Sequence, residues 1–189
     1  MRFSAEIGKC IDVLNKGGLI LYPTDTIWGI GCDATNAEAV QKIYEVKKRP
    51  DKKAMIILVP DQETILTYVR TPHKNIFEYL NKTERPTTVI YNNAINLPKE
   101  LIAKDNSIAI RIVKDAFCKE LLHQLGKPIV STSANISGTP SPQNFTEVDD
   151  EIKNKMDYIV RYRQEEITLT SPSSIIKLND DGSNSAIRP

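Results

Sequence analysis

The stretch that decides the fold runs from an apolar segment into a polar loop and reads Leu19-Ile20-Leu21-Tyr22-Pro23-Thr24-Asp25-Thr26-Ile27-Trp28-Gly29-Ile30-Gly31. Its apolar start, which directly follows two glycines, predicts a buried strand. The segment 23–34 is polar and contains glycines, which predicts a loop that can bring backbone N–H groups and hydroxyls close to a small polar ligand. The alternative is a tight connection whose hydroxyls and carboxylate only stabilise the turn.

On both sides of this stretch, helical and strand patterns alternate along the chain. Apolar residues at helical spacing from Ile7 to Leu14 predict a helix, and Asn36 is placed to cap a second one. The same criteria predict strands at 54–59, 87–91, 107–112, 129–131, 158–161 and 174–178, and helices at 62–68, 73–80 and 115–125. This alternation predicts an α/β class protein in which helices flank a mostly buried sheet, organised as a single domain over 1–189.

The composition excludes several classes of protein. The 189 residues are 40% hydrophobic and 26% charged with a net charge of +1, which is typical of a globular domain and not of a polyelectrolyte binder. The three cysteines are far apart and lack a C-x-x-C motif, so we expect reduced thiols and neither disulfides nor structural zinc. The start of the chain does not read as a signal peptide, and the longest apolar run, 54–60, is too short to cross a bilayer. We therefore expect a cytoplasmic protein.

A second segment concentrates positive charge and reads Lys47-Lys48-Arg49-Pro50-Asp51-Lys52-Lys53. Between Lys42 and Lys53 there are six basic and two acidic residues, a local charge of +4 in a chain whose total is +1. Arginine can bind two phosphate oxygens at once and lysine supplies a compact charge, so the run is a candidate anion site. The alternative is a solvated helix C-terminus whose cations offset the helix dipole.

A third segment reads Ser131-Thr132-Ser133-Ala134-Asn135-Ile136-Ser137-Gly138 and follows a predicted strand. Its hydroxyls and amide can donate hydrogen bonds to phosphate oxygens, while the alanine and glycine keep the approach open. The segment matches neither a Walker A loop nor a G-x-S-x-G nucleophile elbow. A turn stabilised by its own side chains, without a ligand, is the alternative.

Together, in this order and spacing, the three segments resemble the YrdC-type threonylcarbamoyl-AMP synthase family. Pro172-Ser173-Ser174-Ile175 and Ile187-Arg188 are similar to the closing elements of that family, so the resemblance covers nearly the whole chain. It implies a single twisted α/β domain with a basic concave cavity, in the short form without an additional C-terminal domain. It also implies a reaction in which L-threonine, bicarbonate or CO2, and ATP give threonylcarbamoyl-AMP and pyrophosphate, with Mg²⁺ accompanying the ATP.

The resemblance assigns roles residue by residue. It implies that Lys47, Arg49, Ser133 and Asn135 surround the nucleotide phosphates and that the first two are exposed in the cavity. Thr24, Arg111 and Ser173 are expected to bind L-threonine, with Arg111 facing its carboxylate. The expected ATP-binding residues also include three positions outside the quartet: Lys53, Ser107 and Arg188. Trp28, Ala54 and Ser174 depart from the residues usual in the family and put the shape of the pocket in question.

The resemblance implies separate tRNA threonylcarbamoyl-transferase proteins as partners, which modify adenosine 37 of tRNAs that read codons starting with A. It leaves direct tRNA or RNA contact open, and we expect no membrane partner. Two alternatives are an RNA-binding module and an inactive regulatory homologue with the same cavity. Aromatic residues are only 6% and none interrupts the basic run, which argues against an RNA-binding surface. Hydrogenase-maturation proteins contain a similar domain but carry zinc-binding cysteines, which this chain lacks.

Overall fold

The computed structural model describes residues 3–49, 55–167 and 171–189. Within these residues, nine strands form one mixed sheet with six helices and a short 3-10 helix, Phe145–Glu147, around it. The helices are α1 (Ser4–Asn15), α2 (Ala37–Val46), α3 (Gln62–Tyr68), α4 (Asn75–Lys82), α5 (Ala116–Leu125) and α6 (Asp150–Lys153). The strands are β1 (Ile20–Tyr22), β2 (Gly29–Gly31), β3 (Ile56–Val59), β4 (Thr87–Tyr91), β5 (Ile108–Ile112), β6 (Ile129–Ser133), β7 (Tyr158–Ile159), β8 (Ser174–Leu178) and β9 (Asn184–Arg188).

The strand order is β7-β1-β2-β6-β3-β5-β4-β8-β9, so strands distant in sequence become neighbours. Strand β6 lies antiparallel between β2 and β3, which places Ser133 opposite Gly29 and Ser131 opposite Ile56. Strand β5 pairs in parallel with β3 and antiparallel with β4. The loop after β1, the end of β6 and the middle of β5 therefore meet on one part of the sheet.

The two faces of the sheet are covered unequally. On one face α2, α3 and α4 pack against apolar side chains such as Ile57, Ile110 and Val130. On the other face α1 and α5 pack against Ile20, Leu58 and their neighbours. Because side chains alternate between faces along a strand, Ile56, Ala109 and Arg111 lie on the face of α1 and α5. These helices cover only one end of that face, and the remainder is the floor of a cavity.

The structure confirms the predicted α/β class, the mostly buried sheet and most of the predicted elements. Asn36 accepts a hydrogen bond from the Ala39 N–H group and caps α2, and α5 ends at Gly126 in the left-handed conformation. The prediction of a continuous loop over 23–34 was wrong, because β2 lies within it and is stabilised by partners on both sides. Strand β6 also continues to Ser133, two residues beyond its predicted end, and the exposed edge strand β9 was not predicted at all.

Candidate active site

The uncovered part of the sheet forms a cavity of about 360 Å³, a size typical of small-molecule sites. Strands β2, β6, β3, β5, β4 and β8 all contribute lining residues, and the loop before β2 contributes Thr26, Ile27 and Trp28. Three arginines, Arg49, Arg111 and Arg188, line it. Among the residues that the structure describes, no carboxylate is part of the lining. The cavity therefore has the positive charge and the hydroxyl donors that an anionic ligand requires.

Arg111 lies on the cavity floor in the middle of β5, and its side chain is only 4% exposed. Its Nη2 atom lies 3.0 Å from Oδ1 of Asp25, but the contact lacks the alignment of a hydrogen bond. Within the described part of the chain, Nε and Nη2 of Arg111 have no hydrogen-bond partner. Buried donors are nearly always satisfied, and a guanidinium is shaped to bind a carboxylate or phosphate through two N–H groups. As a lining residue, Arg111 adds positive charge to the cavity floor and favours an anionic ligand there.

Arg188 and Ser173 form one side of the cavity. Nε and Nη2 of Arg188 donate hydrogen bonds of 3.1 and 2.7 Å to the Ser173 carbonyl oxygen. The Ser173 hydroxyl lies 2.7 Å from that of Thr88. Partial desolvation lowers the pKa of the Arg188 guanidinium, and the like charges of Arg111 and Arg85 lower it further. Since an anion in the cavity relieves this repulsion, the cluster favours negatively charged ligands.

Arg49 and a run of hydroxyls form the opposite side. Arg49 follows α2, is half-buried, and places Nη1 3.4 Å from the Thr132 hydroxyl. Ser133, predicted as a site residue, lines the cavity together with Thr26, Ser131 and Thr132, which the sequence reasoning did not assign. The uninterrupted hydroxyl run at the end of a strand was the signal that could have identified two of them. Arginine and hydroxyl donors in this arrangement suit phosphate oxygens.

Lys47 is not exposed in the cavity, and that prediction was wrong. The residue is 1% exposed, and Nζ donates hydrogen bonds to the backbone oxygens of Ser133 and Asn135 at 2.5 and 2.7 Å. It also lies 3.3 Å from Oδ1 of Asn135, and the Ser137 N–H group donates to the Lys47 carbonyl. The reason is local: the end of α2 packs against the end of β6, whose carbonyl oxygens require donors. Lys47 thus fixes the segment that carries Ser133.

Asn135 supports the same segment from behind. Its Oδ1 accepts a hydrogen bond of 2.5 Å from the Ser133 hydroxyl, and its Nδ2 donates to the Thr139 carbonyl at 2.5 Å. Neither Asn135 nor Lys47 lines the cavity. The structure therefore brings the predicted quartet together but in two layers, with Arg49 and Ser133 in front.

Three further predicted residues lie elsewhere. The Thr24 hydroxyl donates to the Ile27 carbonyl at 2.8 Å and so stabilises its own loop, while Thr26 reaches the cavity in its place. Ser107 donates to Asp105 at 2.6 Å and is absent from the lining, so its predicted contact with ATP has no support from the geometry. The predicted residue Lys53 lies outside the described residues.

The chain matches a known protein family along most of its length. A family model named for Sua5, YciO and YrdC, with the description "Telomere recombination", matches residues 12–189. The chain belongs to the Sua5/YciO/YrdC family. A putative threonylcarbamoyl-AMP synthase from Methanocaldococcus jannaschii is 36% identical over 182 residues, which cover 93% of this chain and 84% of that protein. A threonylcarbamoyl-AMP synthase from Pseudoalteromonas translucida is 31% identical over 163 residues, covering 85% and 87%.

The fold of this Sua5/YciO/YrdC chain is also that of a solved relative. A variant of P. abyssi Sua5 superposes with a TM-score of 0.86 at 25% identity. The superposition covers 97% of this chain and 56% of the Sua5 chain, so this chain spans about half the length of that protein. Because the curated relatives are named as synthases, membership places this chain in an enzyme family.

Two of the three departures from the family pattern are within the described residues. Trp28 is buried, lines the cavity, and places its ring centroid 4.9 Å from that of Phe145. The Ser174 hydroxyl lies 3.0 Å from that of Thr87, and the residue does not line the cavity. Trp28 therefore still serves as an aromatic wall. Ala54 lies outside the described residues.

Other kinds of site are not found in the described part of this family member. No group of three or more His, Cys, Asp or Glu residues there could hold a metal ion. The three cysteines are buried, and burial raises the pKa of Cys10 to about 12, with Glu6 adding to the effect. No helix among residues 3–49, 55–167 and 171–189 is long and apolar enough to span a membrane. The described cavity offers a ligand polar contacts from arginine and hydroxyl side chains.

The buried Lys47 should give the folding free energy a specific pH dependence. Burial lowers the pKa of Lys47 from its ordinary value of 10.5 to about 7, and the Arg49 charge contributes. Between these values the unfolded chain binds more protons than the folded protein, so stability gained from this group rises with pH. We expect the difference in unfolding free energy between wild type and Lys47→Met to grow from pH 7 to pH 10. Urea denaturation at several pH values measures it, and a difference that is constant or shrinks contradicts the prediction.

Proposed function

We propose that this chain is a threonylcarbamoyl-AMP synthase, an enzyme of nucleotidyl-transfer type that joins L-threonine, bicarbonate or CO2, and ATP. The observation that carries the proposal is a cavity lined by three arginines, Arg49, Arg111 and Arg188, and by several hydroxyl residues. One end of such a cavity suits the carboxylate of an amino acid and the other suits phosphates. The curated relatives named threonylcarbamoyl-AMP synthase support the same activity.

The chemistry needs no protein nucleophile. The amine of threonine attacks CO2, a C–N bond forms, and the amine loses a proton to give a carbamate. A carbamate oxygen then attacks the α-phosphate, a new O–P bond forms, and the bond to the leaving pyrophosphate breaks. Negative charge builds up on the phosphate oxygens during this step, and fixed cations and donors lower its barrier.

Each cavity residue has a role in this scheme. Arg111 binds the substrate carboxylate, and Ser173 and Arg188 close that side. Arg49 and Thr132 donate to the phosphate oxygens beside Ser133, whose hydroxyl is bonded to Asn135, while Lys47 keeps this segment in place. Mg²⁺ would enter with ATP as part of the substrate and would offset the negative charge of the leaving pyrophosphate. Separate transferase proteins then use the product to modify adenosine 37 of tRNA.

The proposal is tested by pyrophosphate release from the purified protein with ATP and Mg²⁺. We expect release that requires both L-threonine and bicarbonate and that serine does not match. Release equal to background by a folded protein that still binds ATP contradicts the proposal, and would favour an inactive regulatory homologue or an RNA-binding module.

A further inference from the structure

The carboxylate of Asp25 lies directly beside Arg111 but is not itself part of the cavity lining. Its side chain is 7% exposed, and Oδ1 lies 3.0 Å from Nη2 of Arg111. The other oxygen, Oδ2, accepts a hydrogen bond of 3.2 Å from the backbone N–H group of Lys114. The carboxylate is therefore held between the chain just after β5 and the guanidinium that projects from β5.

The loop that carries Asp25 is itself fixed on both sides. On the inside, Thr24 Oγ1 donates to the Ile27 carbonyl and accepts a hydrogen bond from the Thr26 N–H group at 3.0 Å. On the outside, Nη1 of Arg163 donates to the Thr24 carbonyl at 3.2 Å and to Asp115 at 3.3 Å. Because the loop is restrained on both sides of Asp25, the carboxylate occupies a defined position rather than following the guanidinium.

The Asp25–Arg111 pair lies at the edge of the cavity, with Arg111 in the lining and Asp25 behind it. A buried carboxylate usually binds arginine through two aligned N–H groups, which would use the same donors that a substrate needs. Here the contact is an ion pair without an aligned hydrogen bond, and Arg111 remains part of the cavity lining. Asp25 thus balances the charge of a buried arginine, which would otherwise be strongly disfavoured in a low-dielectric interior, while Arg111 still lines the cavity.

We propose that Asp25 is a positioning residue that fixes the Arg111 guanidinium at the floor of the cavity, where Arg111 binds the carboxylate of the amino-acid substrate. The proposal rests on the proposed function, since it concerns the binding of the amino acid in that reaction. Asp25 does not touch the substrate and acts only through Arg111. A carboxylate that merely stabilised the loop would affect folding and both substrates alike, whereas a positioning residue affects the amino acid selectively.

Asp25→Asn tests the proposal, with Asp25→Glu as a second variant. We expect Asp25→Asn to raise the KM for L-threonine by roughly tenfold, because a small displacement of a binding group weakens a well-oriented contact. The KM for ATP and kcat should change by no more than about twofold, since the phosphate side of the cavity is untouched. Asp25→Glu keeps the charge but shifts it, so an intermediate KM for L-threonine is expected, and this variant carries the test if the asparagine variant does not fold.

The control is Asp33→Asn, which also removes a buried carboxylate. Asp33 is 3% exposed and forms an ion pair of 2.7 Å with Lys127, outside the cavity lining. Its replacement should lower the unfolding free energy and leave the KM for L-threonine unchanged. An unchanged KM for L-threonine in both Asp25 variants, or an equal rise of both KM values, overturns the inference while wild-type activity still supports the proposed function. A wild-type protein without threonine-dependent activity overturns both.

Discussion

Arg49→Ala should lower kcat by about two to three orders of magnitude, because removal of one preorganised donor to a developing charge costs on the order of 3 kcal/mol in the barrier. Arg49 lines the cavity beside Thr132 and Ser133, where the phosphates of ATP are proposed to bind. It is half-buried just after α2, and its Nη1 atom lies 3.4 Å from the Thr132 hydroxyl at the side of the cavity. We therefore expect the loss of activity to exceed any loss of stability. Pyrophosphate release and urea denaturation of the same preparation measure the two effects.

Lys48→Ala is the matched control for this variant. Lys48 is the preceding residue, but its side chain is 60% exposed and forms a surface ion pair of 2.8 Å with Glu151. Exposed ion pairs contribute little to stability, so both activity and unfolding free energy should stay close to those of the wild type. If Arg49→Ala keeps full ATP-dependent activity, or if Lys48→Ala loses as much as Arg49→Ala, Arg49 does not bind the phosphates.

Lys47→Met should lower stability and turnover together. The substitution keeps an apolar stem of similar length but removes the Nζ group that donates to the carbonyls of Ser133 and Asn135. Leaving these buried oxygens without a donor should cost about 2–4 kcal/mol in unfolding free energy. Turnover should also fall by roughly 10- to 100-fold, because Ser133 is no longer held in place. Denaturation and steady-state kinetics measure the two losses.

Lys42→Met is the control for a lysine of the same helix. Nζ of Lys42 donates to the Gly17 carbonyl at 2.8 Å, on a part of α2 that contributes nothing to the cavity lining. This variant should lose some stability and keep its turnover. A Lys47→Met protein that is as stable as the wild type but inactive would contradict the structural role of Lys47. That result would instead favour a direct contact between Lys47 and phosphate.

Most of the fold could be predicted because the helices and central strands have clear patterns. The apolar spacing from Ile7 to Leu14 and the cap at Asn36 identify helices α1 and α2 locally. Strand β2 has only one apolar side chain between two glycines, and it forms because β1 and β6 pair with it on either side. Such pairing is a tertiary effect that no local pattern contains.

The site could be located from the sequence, but the function of each side chain within it could not. Lys47 and Arg49 belong to one basic run, and only the packing of α2 against β6 shows that the first is buried and the second lines the cavity. Likewise, Thr24 and Thr26 are two residues apart in one loop, and only the turn geometry shows which of the two residues lines the cavity. Asp25 acquires its proposed role solely because β5 brings Arg111 beside it.

The most direct test of the central claim is to identify the product formed with carbon-13 bicarbonate. The purified protein is incubated with ATP, Mg²⁺ and L-threonine, and the nucleotide products are analysed by mass spectrometry. We expect an adduct that contains AMP, threonine and the heavy carbon, formed together with pyrophosphate. An adduct of AMP and threonine without the heavy carbon, or AMP and pyrophosphate in the absence of any adduct, would contradict it.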